Sequence, residues 1–115
     1  MELSLLGKYR MLVAKLNGEL DHHIATSVRE AIDHELERTS AIHIAFDFRN
    51  VSFMDSSGIG VIMGRYKKVH MLGGQVFIFG ASDVVRRIID MSGIREIVIV
   101  ADTLEEGIAQ MQEVG

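Results

Sequence analysis

The stretch of this sequence richest in groups able to do chemistry is Asp47-Phe48-Arg49-Asn50-Val51-Ser52-Phe53-Met54-Asp55-Ser56-Ser57-Gly58-Ile59-Gly60. An apolar run ending in Phe48 gives way to a polar loop. Two apolar residues follow, then an acid and two hydroxyls where a helix begins. Two readings suit this order. In one, Asp55 caps the first turn of the helix, Phe53 and Met54 staple its entry, and the serines are simply tolerated there. In the other, the hydroxyls are presented for another protein to approach. Gly58 and Gly60 favour the second, because each glycine in a helix costs about 0.5–1 kcal/mol relative to alanine. Two of them imply a packing or access reason. Phe53 and Met54 would then add an apolar contact patch, and the glycines would let a partner backbone come close.

Other chemistries meet obstacles in the same residues. A serine nucleophile needs a base within reach, and nothing in the spacing of His22, His23, His34, His43 and His70 fixes one near Ser56. The flank is not Gly-x-Ser-x-Gly, so the hydrolase elbow is absent. The glycines of Gly58-Ile59-Gly60-Val61-Ile62-Met63-Gly64 have one residue too many before the third for a dinucleotide fingerprint, and no Walker lysine-serine pair follows. Adjacent His22 and His23 would point to different helix faces, which disfavours a two-histidine metal site. The expectation is a binding protein with no catalytic residue, cofactor or metal of its own. A small hydrolase or nucleotide-binding enzyme using Ser56 and Asp55 is the rival from another class. Asp21, in Gly18-Glu19-Leu20-Asp21, reads as a helix N-cap, and its place after a strand and turn would let it border the serine loop. His43 reads as structural, and Met63, Met71 and Met91 as core or half-buried filler.

The elements that must position these residues alternate along the chain. Tyr9 to Leu16 reads as a strand closed by the turn dipeptide Asn17-Gly18. From Asp21 to Leu36, Ile24, Val28, Ala31, Ile32 and Leu36 recur at helical spacing. Ala41 to Phe48 alternates as a strand with Ile42, Ile44, Phe46 and Phe48 on one face. A helix from Ser56 or Ser57 to about Met71 carries the stripe Ile59, Ile62, Met63, Tyr66 and Val69, and Gly73-Gly74 ends it. Gln75 to Phe79 is a strand, Ser82 opens a helix through Met91, and Ile97 to Val100 is a last strand. Thr103-Leu104-Glu105-Glu106 fits a capping box for a C-terminal helix. An extra strand around Leu3 to Leu6 would pair antiparallel at an edge. Alternation of this kind implies an α/β domain with a mixed, mostly parallel sheet and about four helices. Function in such sheets gathers where strand C-termini meet helix N-termini, and Phe46 to Gly60 is the richest junction.

Bulk properties narrow the classes further. The chain has 115 residues, enough for one domain (1–115) but not two, and 48% of them are hydrophobic. There is no cysteine, hence no disulfide or thiolate chemistry, and no proline. The net charge is −4 and no basic run exceeds Lys67-Lys68, which speaks against nucleic-acid binding. No stretch approaches the ~20 apolar residues of a membrane span, and the first residues do not read as a signal peptide. A reducing cytoplasmic setting, without membrane or nucleic-acid partners, is expected.

At Gly18-Glu19-Leu20-Asp21 and Phe53-Met54-Asp55-Ser56-Ser57-Gly58-Ile59-Gly60 the sequence resembles the STAS family, the anti-sigma-factor antagonists. Gly64-Arg65-Tyr66-Lys67, Gly73-Gly74 and Asp90-Met91-Ser92-Gly93-Ile94 extend the resemblance over nearly the whole chain. The run is most similar to the sporulation sigma-F branch, with Ile59 in place of the usual leucine. The resemblance implies a STAS-type fold and a partner-switching role. The unphosphorylated protein would bind an anti-sigma factor that is also a serine kinase, freeing the sigma factor for transcription. Phosphorylation of Ser56 would abolish that binding, and a serine phosphatase would reverse it. Asp21, Asp55, Ser57, Gly58 and Gly60 would fall at the kinase contact. The alternative within the fold is a STAS subunit of a stress-response or lipid-transport complex that is not switched by phosphate.

Overall fold

The computed structural model describes residues 1–114; Gly115, the last position of the expected domain, lies outside them. Five strands form one sheet in the order β1-β2-β3-β4-β5. They are β1 (Glu2–Leu6), β2 (Met11–Leu20), β3 (His43–Met54), β4 (Val76–Phe79) and β5 (Ile99–Ala101). β1 pairs antiparallel with β2, and all later pairs are parallel. Four helices connect or follow them: α1 (Ala25–Thr39), α2 (Ser56–His70), α3 (Asp83–Ser92) and α4 (Leu104–Val114). The sheet is mixed and mostly parallel, as the alternation predicts.

Alternate residues of the strands serve two cores. Leu12, Ala14, Ile44, Phe46, Phe48 and Ile78 pack beneath Val28, Ile32 and Leu36 of α1, Val61, Ile62 and Val69 of α2, and Val85 and Ile89 of α3. On the other face Met11, Ala45, Phe77, Phe79 and Ala101 meet Met111 of α4, with Leu104 and Ile108 alongside. Burial on both faces explains why β3 is apolar nearly throughout its first half rather than one-sided. Among the described residues no helix is long and apolar enough to cross a membrane.

The structure corrects several local expectations. Asn17-Gly18 does not close a strand: β2 runs through it to Leu20, with Gly18 at φ 77°. A positive φ suits glycine in an irregular stretch of strand as well as in a hairpin. Arg49 to Ser52 is not a loop either, because β3 continues to Met54 beside the extended β2, with register shifts flanking Asn17 and Gly18. Asn50 Nδ2 donates to Asn17 Oδ1 at 3.1 Å across that pair. Asp21 does not cap α1, whose N-cap is Ile24 with no side-chain bond. Met71 and Met91 are 87% and 88% exposed, not filler. The helix starts elsewhere follow the sequence: Ser82 Oγ accepts from Val85 N–H, and Thr103 Oγ1 accepts from Glu106 N–H.

Candidate functional site

The extension of β2 and β3 determines where the chemistry lies. Because the strands are parallel and Leu20 pairs with Met54, the next residue of each chain segment, Asp21 and Asp55, emerges at the same end of the sheet. Asp55 N–H donates to Leu20 O at 3.4 Å. The surface that Asp21 was expected to share with the serine loop therefore exists.

Asp55 is the N-cap of α2 in extended conformation, and its Oδ1 accepts from the backbone N–H of Ser57 at 2.8 Å and of Gly58 at 3.3 Å. Its Oδ2 takes a third bond, from His22 N–H at 3.3 Å, and faces His22 Nδ1 at 3.5 Å. Partial burial pushes the Asp55 carboxyl up. The bonds from Ser57, Gly58 and His22 outweigh it and hold the group below the ordinary carboxylate value. Asp21 behaves alike: burial raises it, while the His23 N–H at 2.9 Å and the two imidazoles bring it below the usual value. The Asp21 carbonyl accepts from Ile24 and Ala25 N–H, so this residue organises the turn that leads into α1.

At the mouth of α2 the residues differ sharply in access. Ser56 is exposed, Ser57 half-buried, Gly58 buried and Gly60 exposed. A Cβ on Gly58 would overlap Met54 Cγ and stand 2.7 Å from the Leu20 carbonyl oxygen, whereas one on Gly60 would meet nothing within 4 Å. The two glycines thus answer to different causes, close packing at Gly58 and open space at Gly60. Phe53 is 44% exposed beside the serines, but Met54 is buried and contributes to the core, not to a surface patch.

The histidines depart from expectation. His22 and His23 precede α1 instead of riding on it, and their rings lie together with centroids 4.0 Å apart. They do not diverge, and His22 sits directly against the cap of the serine helix. Parallel pairing of the two strand ends is the signal that would have revealed this. Among the described residues no group of three or more His, Cys, Asp or Glu is placed to hold a metal. His43 is structural, its Nδ1 accepting from Gln75 N–H at 3.0 Å. Sequence reading also missed buried Arg65, whose Nε lies 2.9 Å from Asp33 Oδ1 between α1 and α2.

The STAS domain family matches residues 2–107. The anti-sigma F factor antagonist of Paenibacillus polymyxa is 38% identical over 104 residues, 90% of this chain and 89% of that protein. The solved structure of the anti-sigma factor antagonist SpoIIAA in its unphosphorylated form superposes with a TM-score of 0.82 at 29% identity, covering 99% of this chain and 97% of that one. The Bacillus cell fate determinant SpoIIAA in its phosphorylated form superposes with a TM-score of 0.71 at 29% identity, covering 95% and 96%.

Proposed function

The chain belongs to the STAS domain family, and from that premise we propose that it is an anti-sigma factor antagonist switched by phosphorylation of Ser56. Unmodified, it binds an anti-sigma factor that is also a serine kinase, so that the sigma factor is released. The kinase moves the γ-phosphoryl group of its ATP to Ser56 Oγ. The bond to ADP breaks, the new O–P bond forms, and the hydroxyl proton passes to a base of the kinase. A serine phosphatase restores the hydroxyl, and the chain itself catalyses nothing.

The observation that carries this reading is the exposure of Ser56 at the mouth of α2. Half-buried Ser57 and buried Gly58 sit beneath it, so the first hydroxyl is the accessible one. Asp21, Asp55, Ser57 and Gly60 border or form the contact. Gly58 serves it from below, by letting α2 sit close on Leu20. The relatives named anti-sigma factor antagonists, and a structural neighbour known with and without phosphate, support the same reading.

The physics of the switch favours interference over refolding. Phosphate adds about −1.5 to −2 charges at pH 7. The α2 dipole favours it by about 0.3–1 kcal/mol, while the neighbouring Asp55 carboxylate opposes it. These small opposed effects leave the fold in place. A docked partner would instead strip water from the dianion, which costs several kcal/mol even for a partly paired ion, and each 1.4 kcal/mol is tenfold in affinity.

Incubation with the partner kinase and ATP, followed by mass-spectrometric mapping, tests the assignment. Phosphate on Ser56, absent in Ser56→Ala, is the expected outcome. Label on Ser57 with Ser56 untouched would refute it.

A further inference from the structure

Resting on the phosphoserine reading above, we infer that the His22 imidazole is a positioning residue that supplies the counter-charge for the phosphate on Ser56. His22 reaches the site from another element. It lies 33 positions from Asp55, yet gives that carboxylate both its backbone N–H at 3.3 Å and its Nδ1 at 3.5 Å. Asp55 and Ser56 are sequence neighbours, about 3.8 Å apart at Cα, so a phosphate on Ser56 stands one residue from the carboxylate that this imidazole faces.

The charge inventory leaves that task to histidine. The two segments that build the surface carry no lysine or arginine, from Leu16 to Val28 and from Asn50 to Gly64. The acids on the same two segments are Asp55, Asp21 and, near the end of β2, Glu19. A phosphate dianion placed among them meets like charge, and the cations available from the same segments are His22 and His23. His22 faces Asp55 at 3.5 Å, while His23 faces Asp21 at 3.5 Å with its ring tilted 36° to that of His22. His22 is therefore the imidazole poised to turn from the carboxylate to the phosphate.

The test uses the full chain with phosphoserine installed at position 56 during synthesis, so that no kinase is needed. Phosphorus NMR follows the second ionisation of the phosphate, ordinarily near pH 6. An imidazolium that turns to within about 5 Å of it should, even at the dielectric of water, lower that ionisation by about half a pH unit. His22→Gln should therefore raise it by about that amount, His23→Gln by less, and His22→Lys should restore or lower it. Salt at 1 M should shrink the differences. His22→Gln keeps the backbone bond to Asp55, and its amide spectrum reports whether the site has held its shape. Identical titration in the wild type and His22→Gln overturns the inference, as does a rise that His22→Lys fails to reverse. Because the phosphate is placed chemically, either result stands apart from whether a kinase marks Ser56.

Discussion

Alanine at Gly58 and alanine at Gly60 should shift stability in opposite directions, although the residues are two apart in one helix. At Gly58 the new methyl overlaps Met54 Cγ and lies 2.7 Å from the Leu20 carbonyl oxygen and 3.0 Å from Leu20 Cγ. The methionine can rotate away, but the carbonyl belongs to the strand and cannot. Overpacking of this kind costs about 1–3 kcal/mol, and the fixed carbonyl places it near the upper end. The gain in helix propensity offsets about 1 kcal/mol, leaving a net loss of about 2 kcal/mol. Unfolding entropy of about 2.1 cal/mol/K per residue makes 1 kcal/mol worth about 4 °C in a chain of 115 residues. Gly58→Ala should therefore melt about 8 °C lower. At Gly60 nothing lies within 4 Å of the added methyl. Only the propensity gain of about 0.5–1 kcal/mol applies there, so Gly60→Ala should melt about 2–4 °C higher. Scanning calorimetry of the two variants reads both shifts. Gly58→Ala as stable as the wild type, or Gly60→Ala less stable, would refute the division between a packing glycine and an open one.

Three further outcomes follow from the same geometry. Arg65 is 7% exposed and depends on Asp33 across the α1–α2 seam. Asp33→Asn should cost about 2–4 kcal/mol in urea unfolding, and adding Arg65→Met should recover much of it; a double variant no better than the single would contradict this. Burial, with the Arg10 charge adding to it, holds the His43 imidazole below its ordinary value of 6.5. That group binds its proton more weakly folded than unfolded, so its contribution is complete above about pH 6.5 and is lost as pH falls through the folded value. His43→Gln should flatten the urea-midpoint profile over that range. Asp47, almost wholly buried, is pushed up by burial and more than brought back by bonds from Arg49, which hold it below 3.8. Its contribution is present above that value and lost as pH falls further, and Asp47→Asn should remove this part of the acid limb without affecting the neutral one.

The helices and the serine junction were legible in the sequence because local chemistry specifies them. Asp55, Ser82 and Thr103 sit at helix mouths, and side-chain acceptors there bond the free N–H groups whatever the rest of the chain does. The far halves of β2 and β3 were not legible. Asn17-Gly18 and Arg49-Asn50 are polar and turn-forming by local preference, and only pairing with each other holds them as strand. The same long-range pairing brings His22 to Asp55, so the contact was hidden for the same reason. The burial of Arg65 was hidden likewise, because its counter-charge, Asp33, lies on a different helix. Met71 and Met91 are isolated methionines, a residue type that usually fills core gaps, yet among the described residues they stand 87% and 88% exposed.

The most direct measurement compares the affinity of the proposed anti-sigma kinase partner for the unmodified chain and for the chain phosphorylated at Ser56, by calorimetry, with far-UV spectra of both forms. Desolvating the dianion should weaken binding by about 100-fold or more while the spectra superimpose. Equal affinity, or a loss of affinity accompanied by loss of helix, would contradict a switch that works by spoiling one surface.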